Sequence, residues 1–456
     1  MLFSTDKEVY RGTKTLEYML KTLYVMVLFL VGMGILLKLI GGPEERVGLR
    51  RFPYPYHAGL AISNDIRGTD SMEEFLAIQR YLCTEESTPW GMGLGLEAGN
   101  SFWFCDNTGQ STFTVFDSTG ELNEESAVVI VDFIQAGYID ALNTYGGFGE
   151  GDFQPAMADK GLEFFNEHDL AVPIWANSEE EEDFQCIGRM TNQLGDNPES
   201  ALYHAYLLPH FGIKYVELGG YTNVVGQEAV SNIKRWFKKA YEFIISVWRS
   251  TKARKLDLDW NNRLINPHYL DDGQMFLRFK RFINIQGHTS FAELDVNYTA
   301  RQLDGEILDR LTQLEGYMVV YTRLGGNESY SEWMPEDARK ALRGLANRFR
   351  GGRILVTTTS RLLDYYIVHR FLDWDWHKEA GEYVININGL NTPIEVDFKL
   401  TEEILQGLTF YTPNPEITRI FFQGEIVSAL DINNPDENEA GSVSIPWRWL
   451  TFPEGY

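Results

Sequence analysis

From Thr22 to Leu37 the chain reads TLYVMVLFLVGMGILL and carries no charged residue. Extended to Tyr18 and Ile40, the stretch has 23 residues, with Lys21 and Lys38 near its ends. At about 1.5 Å per residue such a helix crosses a hydrocarbon core of about 30 Å, and both lysines can reach the headgroups along their methylene stems. It is apolar on every side, unlike the surface helix of a water-exposed domain. The Lys38-Leu39-Ile40-Gly41-Gly42-Pro43 that follows lacks the small-residue cleavage pattern of a signal peptide. The expectation is a retained transmembrane anchor, residues 18–40, behind a short cytoplasmic tail, residues 1–17. Four Lys/Arg lie on each side of the uncharged stretch 22–37, so the positive-inside rule does not orient it. A short tail before a single anchor ordinarily stays inside, which puts the body on the periplasmic or extracellular side.

Charge separates this region from the rest. Residues 1–51 hold eight Lys/Arg against five acids, a sum of +3, so a chain of net charge −25 leaves −28 on its other 405 residues. So acidic a body repels phosphate backbones, which excludes nucleic acid as a partner. Cys83, Cys105 and Cys186 have no zinc-type spacing. One disulfide with a leftover thiol and three buried thiols are both compatible with that count.

After a linker, residues 41–55, apolar strand-like runs alternate with amphipathic stretches. HAGLAIS (57–63) reads as a buried strand, and SMEEFLAIQRYL (71–82) as a helix with acids in its first turn. EESAVVIVDFIQAG, PAMADKGLEFFNEH, a long segment near 228–248 and another over 299–314 read as helices. YIDAL, LAVPIWAN, IKYVELGG, MFLRFKRFI and YMVVYTR read as strands. Such alternation predicts an α/β fold: a distorted (β/α) barrel over residues 56–350, its working residues at the strand C-termini. Residues 351–456 turn to short β runs separated by Asn, Pro and Gly, and are expected to form a β-sandwich-like module.

Reading the strand ends in order gives Ser63-Asn64-Asp65, then Asn143-Thr144-Tyr145-Gly146, then Ala176-Asn177-Ser178, with Tyr203-His204 ahead of a strand ending Glu217-Leu-Gly-Gly. The order and texture of AISNDI, IDALNTYGGF, IWANS and GDNPESALYHAYLLPHFGIKYVELGG resemble the polysaccharide deacetylase family, the NodB-homology fold, over roughly residues 55–345. In that family the first strand ends in an Asp-Asp pair. The first Asp is the general base, and the second binds a divalent metal together with two histidines of an H-x-x-x-H motif. The resemblance places Asn64 at the base, Asp65 at the metal-binding Asp, Asn143 at the first histidine and Gly147 four residues on, with Ser178 at a further site position. An amide takes no proton near neutral pH and is a poor zinc ligand beside imidazole. Asp65 is then the only matching ligand, and a high-affinity zinc site of the family type is not expected. The cofactor is left unknown.

The catalytic candidates are therefore Asp65, His204 and Asn64. Asn143, Tyr145, Trp175, Ser178, Asp259 and Trp260 are candidates for binding, since flat rings stack on sugar faces while carboxylates and amides bond the hydroxyls. The resemblance implies a membrane-anchored, carbohydrate-active protein that faces the envelope and acts on or binds a surface polysaccharide. The implied partners are poly- or oligosaccharide, the membrane, and envelope polysaccharide machinery. Two other readings stand beside a deacetylase-like hydrolase. One is an inactive glycan-binding or scaffolding relative. The other is a glycosidase pairing Asp65 with Asp257 or Asp259.

Overall fold

Seven parallel strands close on themselves. They are β2 (Ala58–Asp65), β5 (Gly99–Phe102), β6 (Ile139–Leu142), β7 (Ile174–Ala176), β8 (Tyr215–Thr222), β10 (Met275–Phe282) and β11 (Tyr317–Thr322), in that order around the ring, with β11 returning to β2. The computed structural model describes residues 47–66, 69, 71–105, 113–117, 119–146, 153–177, 184–188, 194–229, 262–284, 295–326, 333–392, 398–436 and 440–456. Leu49–Tyr456 cluster as one unit. Between β2 and β11 the register runs from Gly59 opposite Tyr317 to Asn64 opposite Thr322. On its other edge β2 pairs at its start with β12 (Ile354–Thr357) and at its end with β5.

The connecting helices follow the sequence pattern. α1 (Met72–Cys83) begins at Ser71, whose hydroxyl accepts from the Glu74 amide. α2 (Glu124–Gln135) ends at Gly137, which has a positive φ, and α3 (Pro155–Glu167) opens on proline. The helix expected over 299–314 is two, α4 (Thr299–Gln302) and α5 (Gly305–Leu314). Asp304 interrupts it by accepting from the Glu306 amide, a new N-cap. α6 (Glu336–Arg350) precedes β12. Two hairpin pieces, β3 (Ser87–Thr88) with β4 (Gly91–Met92) and β9 (Ile265–Tyr269) against β10, are antiparallel additions. The long helix expected near 228–248 lies outside the described residues.

The segment after β12 is α7 (Thr359–Phe371), and its sequence mixes types for a physical reason. Thr359, Ser360, Leu362, Leu363, Tyr365, Tyr366, Ile367 and Val368 are all buried, while Arg361 and Asp364 are only half-buried, so the polar face is narrow and the 3.6-residue contrast is weak. This helix plugs the N-terminal end of the barrel. Asp364 accepts from the hydroxyl of Tyr215 (2.6 Å), the ring of Tyr366 meets Tyr317 (5.3 Å), and Leu362 lies against Gly59. These contacts fall at the starts of β8, β11 and β2. Asp140 on β6 accepts from the Ser360 amide at the helix N-terminus (2.8 Å).

Two further four-stranded sheets are separate from the barrel, built from the residues after α7 together with β1. One runs β13 (Leu372–Glu379), β14 (Glu382–Leu390), β16 (Thr418–Phe422) and β17 (Glu425–Ile426). The other runs β1 (Gly48–Arg50), β15 (Thr409–Tyr411), β19 (Ser442–Ser444) and β18 (Asp431–Asn433). The rings of Trp374 and Phe410 meet between them at 5.0 Å. Cys83, Cys105 and Cys186 are free and buried.

The expected fold class included an anchor, and this is corrected. Among the described residues no helix is long and apolar enough to cross a membrane. The longest, α6, has 15 residues, about 22 Å at 1.5 Å per residue against about 30 Å of hydrocarbon. What is seen is a mixed α/β fold with a seven-stranded parallel barrel and separate sheets. The segment 18–40 lies outside the described residues. The membrane-anchored, envelope-facing function, the periplasmic or extracellular location and the membrane partner depended on that anchor and fall with it; the polysaccharide partner came from the family resemblance, and nothing among the described residues supports it.

Candidate functional site

Residues on a strand alternate sides, so neighbours at a strand end face different surroundings. Asn64 and Asp65 do so. Asn64 points away from the barrel axis toward α1. Its Nδ2 donates to Asn100 (3.0 Å), and its Oδ1 accepts from the Leu324 amide (3.0 Å) and the Thr322 hydroxyl (3.2 Å). Gln79 on α1 donates to the same Asn100 oxygen (2.9 Å). An amide is needed here because the position must both donate and accept; a carboxylate could not donate to Asn100.

Asp65 points inward. Its Oδ1 accepts from Nδ2 of Asn143 at the end of β6 (3.1 Å), and its Oδ2 from the Tyr321 hydroxyl at the end of β11 (3.2 Å). Asp65 is 1% exposed and Asn143 2%. The carboxylate decides how the amide lies: only an N–H can face its lone pairs, so the Asn143 oxygen turns away. That Oδ1 is buried and receives no hydrogen bond. The next residue, Thr144, has φ +58° and a buried hydroxyl without a partner. A β-branched residue in the left-handed region is strained, and such strain gathers at functional sites.

On the far side of Tyr321 stands an ion pair. Arg281 on β10 donates to Glu217 on β8 (2.7 Å), with both side chains almost fully buried. The other Glu217 oxygen accepts from the Gly220 amide (2.9 Å). The guanidinium lies 4.4 Å from the Tyr321 ring centre and 5.6 Å from that of Tyr221. Asp65, Asn143, Tyr321 and Arg281, at or next to the C-terminal ends of β2, β6, β11 and β10, thus form a continuous polar set with Glu217, which lies in the first half of β8. The strand-end rule that selects Asp65 and Asn143 also points to Arg281 and Tyr321, and Glu217 joins them from further back along β8; none of the three is among the sequence-based site candidates.

The other candidates lie elsewhere. His204, Tyr145 and Trp175 pack ring to ring at 4.9–5.2 Å, in the layer that also holds Phe153 and Phe211. Trp175 pairs in register with Val216, whose side chain belongs to the same outer core. The His204 Nε2–H donates to the Gln185 carbonyl (2.6 Å), and burial holds its imidazole down to about 4. It is a neutral core histidine. Burial likewise drives the Tyr145 phenol well above its usual range. Ser178, Asp259 and Trp260, together with Asp257 and Gly147, lie outside the described residues.

The donor set does not fit zinc. The family arrangement needs one carboxylate and two imidazoles, while here an amide N–H and a phenol O–H occupy the carboxylate oxygens and would repel a cation seated on them. Among the described residues no group of three His, Cys, Asp or Glu side chains could hold a metal ion. No family model matches the chain, and no curated protein matches it.

Proposed function

We propose that this chain is a non-hydrolytic binding barrel, resembling polysaccharide deacetylases in the order of its strand ends. It takes a small molecule bearing hydroxyl or amino donors where those enzymes take zinc. The bare Oδ1 of Asn143, buried beside Asp65, carries the reading. A buried acceptor left without a donor costs about 1–3 kcal/mol, which a ligand N–H or O–H would recover. Support comes also from the strain at Thr144, which a fold would shed unless the position were useful. Hydrolysis by the family route has no base here: Asn64 is an amide, and both ends of it are committed to structural hydrogen bonds.

The test is thermal denaturation of the full chain with a panel of small polyols and primary amines, repeated with Asn143→Leu. A saturable rise in Tm that Asn143→Leu abolishes supports the proposal. No response to any member, or a response that survives the substitution, overturns it.

A further inference from the structure

Leu122 and Val128 are 47% and 57% exposed. Both line one groove of about 330 Å³ between α2 and α3, with Val131 and Phe164 on its floor and Glu124 and Asp132 at its edge. Two large apolar side chains standing in water beside one concavity offer a small apolar contact surface.

Charge narrows the occupant. α2 carries Glu124, Glu125 and Asp132 and no Lys or Arg. α3 carries Asp159, Glu163 and Glu167 against Lys160, whose ammonium is already bonded to the Gly120 carbonyl and sits 4.4 Å from the Phe116 ring centre. A second copy of a chain of net charge −25 brings more negative charge to this rim and is disfavoured. A helix with an apolar stripe and flanking Lys/Arg meets both demands, laying the stripe on the floor and its cations on the rim. The adjoining part of α2 is covered by the chain's own C-terminal segment, which is not helical. Phe452 packs on Phe133 (5.4 Å), and the Tyr456 hydroxyl donates to Asp132 (2.6 Å).

We propose that the groove between α2 and α3 is a docking site for a basic amphipathic helix of a partner protein. The site is separate from the strand-end polar set, so its test is independent of the ligand proposal. The experiment is fluorescence anisotropy of the full chain with a labelled amphipathic Leu/Lys helix and with a scrambled peptide of the same composition. The helix is expected to bind saturably and the scrambled peptide at least about tenfold more weakly, equivalent to about 1.4 kcal/mol. Val128→Glu, or Val128→Ser if the first variant melts early, is expected to weaken the helix by a similar factor. Glu124→Lys should weaken it and flatten its salt dependence. Equal binding of both peptides, or binding unchanged by both Val128 and Glu124 variants, overturns the proposal. So does sedimentation showing a wild-type dimer that Val128→Glu dissociates, which would assign the groove to a second copy.

Discussion

Asn143 donates its Nδ2–H to Oδ1 of Asp65 across 3.1 Å, tying the end of β6 to the end of β2 on the inner side of the barrel. The same carboxylate holds the Tyr321 hydroxyl of β11. One buried carboxyl group therefore joins three strands. Removing it strands two buried donors, so Asp65→Ala is expected to lower stability by about 2–4 kcal/mol. Asp65→Asn keeps an acceptor oxygen and should cost less. Urea unfolding of the two variants checks both values; a loss under about 1 kcal/mol for Asp65→Ala would mean the network is not structural.

The Glu217–Arg281 pair answers to a different rule. Breaking a buried pair leaves an uncompensated charge, so Arg281→Met is expected to cost about 3–5 kcal/mol. Adding Glu217→Gln removes that charge and should return part of the loss. A double variant no more stable than Arg281→Met would show that packing against Tyr321, not charge, dominates.

How much of this was legible follows from strand geometry. Alternating apolar runs and amphipathic stretches announced a parallel barrel, and the strand-end rule picked out Asp65 and Asn143. Strands buried on both faces show no alternation, so the sequence does not say which of two neighbours faces the axis. That is why Asn64 and Asp65 read as one site although they point apart, and why His204 reads as catalytic and Tyr145 and Trp175 as binding residues although all three form the outer core. Glu217 and Arg281 are 64 positions apart and meet only through the register of β8 with β10. α7 escaped a clear reading because burial around most of its circumference blurs the helical period.

The plug makes a packing prediction. A Cβ on Gly59 would stand 2.7 Å from Leu362 Cδ1 and 3.3 Å from a Tyr317 ring carbon. Gly59→Ala is expected to destabilise by about 1–3 kcal/mol through overpacking, and Leu362→Ala by about 2–5 kcal/mol through the cavity it leaves. Since the two changes fill and empty the same space, the double variant should cost less than their sum. Strict additivity in a double-mutant cycle would place Leu362 away from Gly59.

Two buried groups give the stability a pH dependence of opposite signs. Burial raises Asp140 to about 6 despite the Ser360 amide, so its contribution is full below the usual carboxylate value and is lost as pH rises through about 6. Asp140→Asn should remove a gain on the order of 1–3 kcal/mol between pH 7 and pH 5. His204, lowered to about 4 by burial, contributes stability above its usual value that is lost as pH falls through about 4. His204→Phe should flatten that acid limb. Unfolding curves across this range check both; wild-type slopes retained in the variants would reassign the titrations.

Hydrogen-bond donors sit on Asp65 where the family would seat zinc, and the proposed function needs that exchange as well as the bare Oδ1 of Asn143. Calorimetric titration of zinc into the wild-type chain and into Asp65→Ala addresses it without knowledge of the ligand. Both proteins are expected to give the same weak, non-saturating heats. Saturable one-to-one zinc binding in the wild type, lost in Asp65→Ala, would contradict it.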